Sequence, residues 1–382
     1  MEGGTWGIVI VISAFMIQVL TFGTTASIGV YNIEFLDYFT GSSVGVSLIG
    51  SVNFGVYLGS GPIVSFLMTK FCYRKIAFCG SALVLVGLLG MPFLPYIPTM
   101  CLFFGVLTGF GNCCTYIPSH VLSGLYYDKY RSIATGVSTS GSGLGGAVLP
   151  VLVGFLIDVY SWKGSIIFLA GLNLHLFIFA ALLRYPPLPS VAGEQKTPKP
   201  KLVAEEYVAD RQQDASGTSI IPRSSRHVYI FTNYRFNIYF FSNIMWNAGY
   251  AIIQSFAPEF LQDKGLTMME AAWLSGAFGL ASFVGGVVGG VSGNIETINR
   301  QMLYTAACLV MGAATIGFPQ FQHTALYTLL LVISGLAFGV ILGLLIVVLT
   351  DLVGVESLGN GLGYLMLSNG LGTFLGPPLA SK

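Results

Sequence analysis

Long apolar runs separated by short polar turns make up most of the chain. Each holds few charges and is near the length of about 20 residues that a helix needs to cross a bilayer. The first six runs, which we number spans 1 to 6, lie near residues 6–31, 43–69, 75–96, 98–124, 132–157 and 162–184. Spans 7 to 11 lie near residues 235–262, 270–292, 301–318, 324–350 and 356–381. The pattern predicts an all-α membrane protein with six plus five transmembrane helices.

A change in composition divides the spans into two groups. Residues 185–234 are rich in proline and mixed charges, which predicts a disordered linker between an N-terminal bundle, residues 1–184, and a C-terminal bundle, residues 235–382. The segment Gly143–Pro150 resembles Gly370–Pro377, so the halves are interpreted as an internal repeat. Because the sequence ends soon after the second copy, we expect helix 12 to be missing and the C-terminal bundle to be truncated.

Charge distribution orients the predicted spans. Only 9% of the 382 residues are charged, and the net charge of +1 does not suggest a nucleic-acid partner. Fourteen of the 17 Lys and Arg residues fall in loops or helix ends on one side, which we call the basic side. Positively charged loops face the cytoplasm, so the N-terminus and the linker are predicted to be cytoplasmic.

No arrangement of residues typical of an enzyme stands out. The six cysteines form no C-x-x-C pair and lie mostly in apolar runs, which favours buried, inert thiols over metal ligands or disulfides. The glycine-rich runs lie inside apolar helices and precede no Lys-Ser/Thr pair, so a phosphate loop is not indicated. We expect no catalytic residues, no cofactor and no metal.

The segment Gly124–Gly154 combines a charged turn with an apolar helix rich in small residues. Lys129 and Arg131 lie in the turn, and Gly136, Ser140 and Gly141 follow at helical spacing. Small residues let helix backbones approach closely inside a membrane. Such a helix, kinked by a proline at 150, fits a transporter better than a simple anchor.

Several short motifs in this chain resemble those of the monocarboxylate transporters, a branch of the major facilitator superfamily. The matching segments are Glu2–Gly7 before span 1, Gly61–Arg74 around loop 2–3, Tyr126–Ser142 around loop 4–5, Trp162–Gly164, Asp351–Gly354 and Leu375–Leu379. Each motif is weak alone, but they occur in family order along nearly the whole chain. The resemblance implies a transporter fold, with structural or gating roles for Trp6, Lys70, Arg74, Lys129, Arg131, Gly136, Ser140 and Gly141.

Two polar stripes suggest a path for a solute. Thr21, Thr25, Ile28 and Asn32 share one face of span 1, and Asn243, Asn247, Tyr250 and Gln254 repeat that spacing on span 7. The resemblance places these equivalent spans beside a central cavity. Hydrogen bonding between helices is the alternative for any single residue. For the paired stripes as a set, we favour a substrate path.

Span 4 adds a third polar face, formed by Asn112, Tyr116 and Ser119 with His120 beside it. His120 could exchange a proton near neutral pH, or it could serve as a hydrogen-bonding residue at a helix interface. We include Tyr116 and His120 in the predicted path. Trp246 could stack on an aromatic solute, although core packing is the favoured interpretation.

The sequence departs from the family at the positions that bind and couple lactate. Proton-coupled lactate carriers have a Lys on helix 1 where this chain has Ala26, and an Asp and Arg on helix 8 where it has Ser282 and Gly286. A selectivity Phe on helix 10 is replaced near Ile346. A carboxylate buried without a fixed cation is costly. The predicted solute is therefore a neutral, zwitterionic or aromatic compound bound by Asn, Tyr and Gln, and proton–lactate symport is not expected.

Two hypotheses remain open at this level. The first is an alternating-access transporter of a small organic solute in the plasma membrane. The second is a truncated, non-transporting family member that acts as a membrane interaction or regulatory protein. The resemblance also implies a single-span, immunoglobulin-type ancillary glycoprotein as a partner.

Overall fold

A computed structural model describes residues 4–39, 43–186, 230–264, 268–320 and 324–380. Within these ranges the regular secondary structure is entirely helical. The all-α prediction is therefore confirmed. Most of the predicted linker, residues 187–229, lies outside the described residues.

Each predicted span corresponds to one or more helices. The first half comprises Gly4–Ala26 and Ile28–Tyr38 (span 1), Ser43–Gly59 and Gly61–Lys70 (span 2), Tyr73–Phe93 (span 3), Ile97–Met100, the π-helical segment Cys101–Thr108 and Gly109–Tyr126 (span 4), and Arg131–Asn173 with His175–Leu182 (spans 5 and 6). The second half comprises Tyr234–Asp263, Met268–Ser292, Arg300–Gly317, Thr324–Val353 and Leu358–Ala380 (spans 7 to 11).

Not every helix is equally apolar. Within the described residues, five helical segments are long and apolar enough to cross a membrane, and the two helices of span 2, bent by 43°, could form a sixth crossing. This set covers spans 1 to 6 and span 10, because the segment Arg131–Leu182 contains span 5 and span 6 on either side of a turn at Ser161. Spans 7, 9 and 11 form helices where predicted but lie outside the set, and span 8 contributes a shorter apolar helix, Gly276–Ser292.

Spans 5 and 6 are joined by a sharp backbone turn and not by a loop. The turn is at Ser161, whose φ of 60° and ψ of 171° are rare for a residue with a Cβ atom. The next residue, Trp162, is buried against Phe35 and Tyr38, with both ring centroids 5.3 Å from its own. This aromatic packing anchors the start of span 6 against the end of span 1.

Buried apolar residues form several clusters, some within one half of the chain and one that contains residues of both halves. One cluster lies entirely in the first half and includes Ile17, Leu88 and Phe104. A larger cluster crosses the halves, with Ile117 on one side and Leu362 on the other. The halves therefore share a continuous core in this conformation.

Candidate functional site

Spans 5 and 8 meet along faces of small residues. A Cβ atom at Gly136 would overlap Gly290, and a Cβ atom at Gly286 would lie 2.7 Å from the Cβ atom of Ser140. Further from the basic end, a Cβ atom at Gly279 would be 2.9 Å from that of Ala147. No side chain larger than those present fits without moving the two backbones apart.

Spans 2 and 11 form a second contact of the same kind. A Cβ atom at Gly61 would overlap the carbonyl oxygen of Gly363, and one at Gly370 would lie 2.9 Å from the backbone nitrogen of Gly59. Ser65 adds a hydrogen bond from its hydroxyl group to the backbone of span 11. Both contacts between the halves thus depend on residues without bulky side chains.

Two arginines close loops on the basic side in the same way. Arg131 Nε donates to the carbonyl oxygen of Gly124 at 2.8 Å, and Arg300 Nε donates to that of Gly293 at 2.7 Å. In both cases the glycine precedes the arginine by seven residues and lies near the end of the preceding helix. Each arginine also pairs with a carboxylate, which is Asp128 for Arg131 and Asp351 for Arg300.

The two arginine-closed loops touch each other across the halves. Ser132 follows Arg131 and packs against Gly293 of the second half. A Cβ atom at Gly293 would overlap the hydroxyl oxygen of Ser132. Gly124 likewise faces Leu358 and Ile346 of the second half. These contacts lie at the basic ends of the helices, so the described conformation is closed on the basic side.

A group of uncharged polar residues lies where spans 1, 2 and 4 meet. This group, which we call the central cluster, consists of Thr21, Thr25, Tyr57, Asn112 and Tyr116. Asn112 Nδ2 donates to Thr25 Oγ1 at 3.2 Å and faces the Thr21 carbonyl oxygen at 3.4 Å. The Tyr57 hydroxyl lies beside Thr21, and the rings of Tyr57 and Tyr116 are 6.1 Å apart, edge to face. All five residues are buried.

The predicted stripe on span 7 is largely occupied by contacts within the second half. Asn243 Oδ1 accepts a hydrogen bond from Trp246 Nε1 at 3.1 Å. Asn247 Nδ2 donates to Asn369 Oδ1 of span 11 at 2.8 Å. Tyr250 stacks on Phe338 at 4.4 Å. Only Gln254, at the far end of the stripe, is exposed.

His120 and Asn32 keep polar atoms without partners. His120 is fully buried, stacks on Tyr116 at 4.1 Å, and places Nδ1 3.1 Å from the Tyr116 carbonyl oxygen. A carbonyl oxygen only accepts, so this contact requires the Nδ1–H form. Neither His120 Nε2 nor Asn32 Oδ1 has a hydrogen-bond partner in the described part of the chain.

The remaining motif residues are distributed around the bundle ends. Trp6 lies under the Arg184 guanidinium group at 5.3 Å, and Lys70 lies over the Phe66 ring at 4.5 Å. Arg74 lies 5.8 Å from the Phe78 ring and Lys129 lies 5.9 Å from that of Tyr130. Gly141, in contrast, packs within the first half, where a Cβ atom would overlap the Phe15 carbonyl oxygen of span 1.

The positions that depart from the lactate carriers lie at helix contacts. Gly286 faces both Ser140 of span 5 and Gly343 of span 10, so an arginine at this position would have no room in this conformation. Ser282 is buried and lies against Gly339 of span 10. Among the described residues no Lys, Arg, Asp or Glu is buried, and no group of three potential metal ligands is present.

Two helical halves that meet along small-residue faces around uncharged polar groups are the architecture of a membrane transporter. The chain belongs to the Major Facilitator Superfamily, whose family profile matches residues 12–377. It is a multi-pass membrane protein of a transporter family and not an enzyme.

Curated relatives and solved structures agree with this assignment. The chain is 27% identical over 380 residues to monocarboxylate transporter 13 of Rattus norvegicus, covering 99% of this chain and 82% of that protein. It is 24% identical over 395 residues to monocarboxylate transporter 1 of Mus musculus, covering 99% of this chain and 79% of that protein.

Solved transporter structures have the same fold. The Escherichia coli fucose:proton symporter FucP matches with a TM-score of 0.71 at 11% identity, covering 100% of this chain and 92% of that chain. The proton:xylose symporter XylE matches with a TM-score of 0.73 at 13% identity, covering 98% and 88%. At such identities these structures show the fold alone.

Tyr57, Ser65 and Asn369 are site residues whose contacts the sequence does not predict. Tyr57 lies in a glycine-rich apolar run, where a tyrosine is an ordinary core residue. Ser65 lies within a loop motif, and Asn369 precedes the repeated segment Gly370–Pro377. Of these three residues, only Asn369 could have been singled out from the sequence as a site residue, because it lies directly before the repeated segment.

Proposed function

We propose that the chain moves a small organic solute across the membrane by alternating access. The bundles 1–184 and 235–382 would rock against each other along the span 5–8 and span 2–11 contacts. The closure on the basic side supports this proposal, because one closed end is what such a cycle requires. The relatives named monocarboxylate transporters support a small organic acid or a compound of similar size as the solute.

The uncharged interior favours a neutral, zwitterionic or aromatic solute over lactate moved with a proton. Ala26, Ser282 and Gly286 supply neither a fixed cation nor an acid. A lone carboxylate would therefore lose its hydration without gaining a charged partner. The proposed path residues are Thr25, Asn32, Tyr116, His120, Asn243, Asn247, Tyr250 and Gln254.

The remaining features of the proposal concern location and partners. We place the protein in the plasma membrane with its N-terminus and linker in the cytoplasm, in keeping with the positive charge of the basic side. A single-span, immunoglobulin-type glycoprotein is the proposed ancillary partner. Cell-surface labelling with and without such a glycoprotein tests both statements.

Uptake into proteoliposomes tests the transport proposal. The full chain is reconstituted, and labelled lactate, aromatic amino acids and creatine are supplied at two external pH values. Saturable uptake of at least one solute, little affected by the proton gradient, is expected. Strong acceleration of lactate uptake by an inward proton gradient would reject the proposed mechanism. Gly136→Leu, which should block closure of span 5 on span 8, is the inactive control.

A further inference from the structure

Asn112 uses only half of its amide group. Its Nδ2 lies 3.4 Å from the carbonyl oxygen of Thr21, which can only accept a hydrogen bond. With its nitrogen toward span 1 the amide keeps its contacts with both Thr21 and Thr25, and Oδ1 is turned away. Oδ1 is buried and accepts no hydrogen bond from the described residues. Buried acceptors without partners are rare in native proteins, so this one calls for an explanation.

The surroundings of Asn112 restrict what could approach Oδ1. Tyr116 lies one helical turn further along span 4, and the Tyr57 hydroxyl lies beside Thr21, which the same amide faces. The negative faces of tyrosine rings attract cations. Tyr116 also lies near Tyr239 of span 7, so this part of the central cluster borders the other half. Aromatic rings and a free acceptor favour a group that carries N–H donors and positive charge.

Among the described residues of the span 7 stripe, no side-chain oxygen is buried without a partner. The side-chain oxygens of Asn243 and Asn369 accept hydrogen bonds from Trp246 and Asn247. Gln18, Asn32, Asn53 and Asn173 in the first half also keep a side-chain oxygen without a partner. Asn173 is bound to Thr24 at the contact of span 6 with span 1 and Asn53 to the backbone at Phe104, whereas Asn112 is bound to Thr25 of the span 1 stripe. Asn112 therefore combines a free acceptor with the tyrosines that border the second half.

We infer that Asn112 Oδ1 binds the ammonium group of a zwitterionic solute beside Tyr57 and Tyr116. A zwitterion fits a site without charged residues because its net charge is zero, whereas a lone cation or carboxylate would be unpaired. This inference rests on the proposed transport function. It makes the first half, through spans 1, 2 and 4, the part of the molecule that recognises the amine.

A pair of probes that differ in one group tests the inference. Phenylalanine and 3-phenylpropionate share a skeleton and a carboxylate, and only phenylalanine carries the ammonium group. The binding of each to the purified full chain is measured by thermal stabilisation. We expect phenylalanine to bind about tenfold more tightly, an advantage of about 1.4 kcal/mol. Asn112→Leu should reduce the preference to less than about threefold.

Two further variants separate recognition from folding. Asn173→Leu removes a buried amide with the same free oxygen away from the tyrosines, so it should keep the preference for phenylalanine. Asn112→Asp keeps an acceptor and adds negative charge, so it should increase the preference. If Asn112→Leu does not fold, equal binding of the two probes by Asn112→Asp would overturn the inference.

The possible failures are distinguishable. If the unaltered chain binds both probes equally, or if Asn112→Leu keeps the preference, the inference is wrong and Oδ1 is occupied by water only. Uptake of a solute without N–H groups in preference to zwitterions would also overturn the inference while leaving the transport function intact. If no solute is bound or taken up, the proposed function itself fails.

Discussion

Ser65 of span 2 donates its hydroxyl hydrogen to the carbonyl oxygen of Gly359, 2.7 Å away at the start of span 11. The side-chain oxygen of Asn360 lies 3.1 Å from the same hydroxyl. This is a hydrogen bond between the halves, next to the close contact of Gly61 and Ser65 with Gly363. It joins the halves at the basic side, where the structure is closed.

Ser65→Ala should shift the conformational equilibrium toward states open on the basic side. A hydrogen bond of this kind contributes about 1 kcal/mol, so its loss should favour the open states about fivefold. Spin labels at Lys75 and Glu356, both exposed at the basic end, report the opening as an increase in distance. Ser51→Ala is the control, because Ser51 donates to the Ser47 carbonyl oxygen in its own helix. Equal distance distributions for the two variants would contradict the prediction.

Gly136→Ala and Gly171→Ala should have opposite effects on thermal stability. Alanine is favoured over glycine inside a helix by about 1 kcal/mol. Nothing lies within 4 Å of a Cβ atom at Gly171, so that variant should gain most of this energy. A Cβ atom at Gly136 would overlap Gly290, so that variant should separate spans 5 and 8 and lose stability. The measurement is thermal unfolding in detergent.

The opposite signs are essential to this test. A gain at both positions would show that the contact between spans 5 and 8 is looser than described, and a loss at both would show that Gly171 packs against a further neighbour. Solute uptake gives a second readout. It should fall for Gly136→Ala and remain for Gly171→Ala, because only Gly136 lies between the halves.

The repeated loop closure predicts that lysine cannot replace either arginine. Arg131 and Arg300 each donate Nε to a glycine carbonyl oxygen while a terminal nitrogen pairs with Asp128 or Asp351. Lysine has a single ammonium group and cannot make both contacts at these separations. Arg131→Lys and Arg300→Lys should each lower the free energy of unfolding by about 1 kcal/mol, measured by thermal unfolding in detergent.

Arg74→Lys is the matched control for these two variants. Arg74 is exposed, and its described contact is with the ring of Phe78, which an ammonium group can also make. The control should unfold at the same temperature as the unaltered chain. If the control is destabilised as much as Arg131→Lys, the loss does not come from the forked contacts. If Arg131→Lys and Arg300→Lys unfold at the temperature of the unaltered chain, positive charge and not the forked geometry is what the loops require.

Helix positions were predictable from sequence because long apolar runs leave few alternatives to a membrane helix. The small residues of span 5 likewise predicted a close helix contact, but not that Gly136 would face span 8 while Gly141 faces span 1. That choice depends on the rotation of helices far apart in sequence. The polar stripe on span 7 predicted a path, whereas the structure pairs Asn247 with Asn369, because buried amides bind the nearest available partner. A solute path and a contact between helices differ only in whether the amide groups of span 7 bind a solute or a neighbouring helix during transport.

Ser161→Gly should stabilise the protein. Ser161 adopts a φ of 60° with ψ of 171°, a backbone conformation that glycine adopts freely and that costs other residues about 1–3 kcal/mol. The turn is held in place by Trp162, buried against Phe35, so the strain is not relieved by a local shift. Ser161→Gly should therefore raise the unfolding temperature, while Ser161→Ala, which keeps the Cβ atom, should leave it nearly unchanged.

If Ser161→Ala stabilises the protein as much as Ser161→Gly, loss of the serine hydroxyl and not relief of backbone strain is responsible. If neither variant changes the unfolding temperature, the turn between spans 5 and 6 carries no strain, and span 6 is anchored by the Trp162 packing alone.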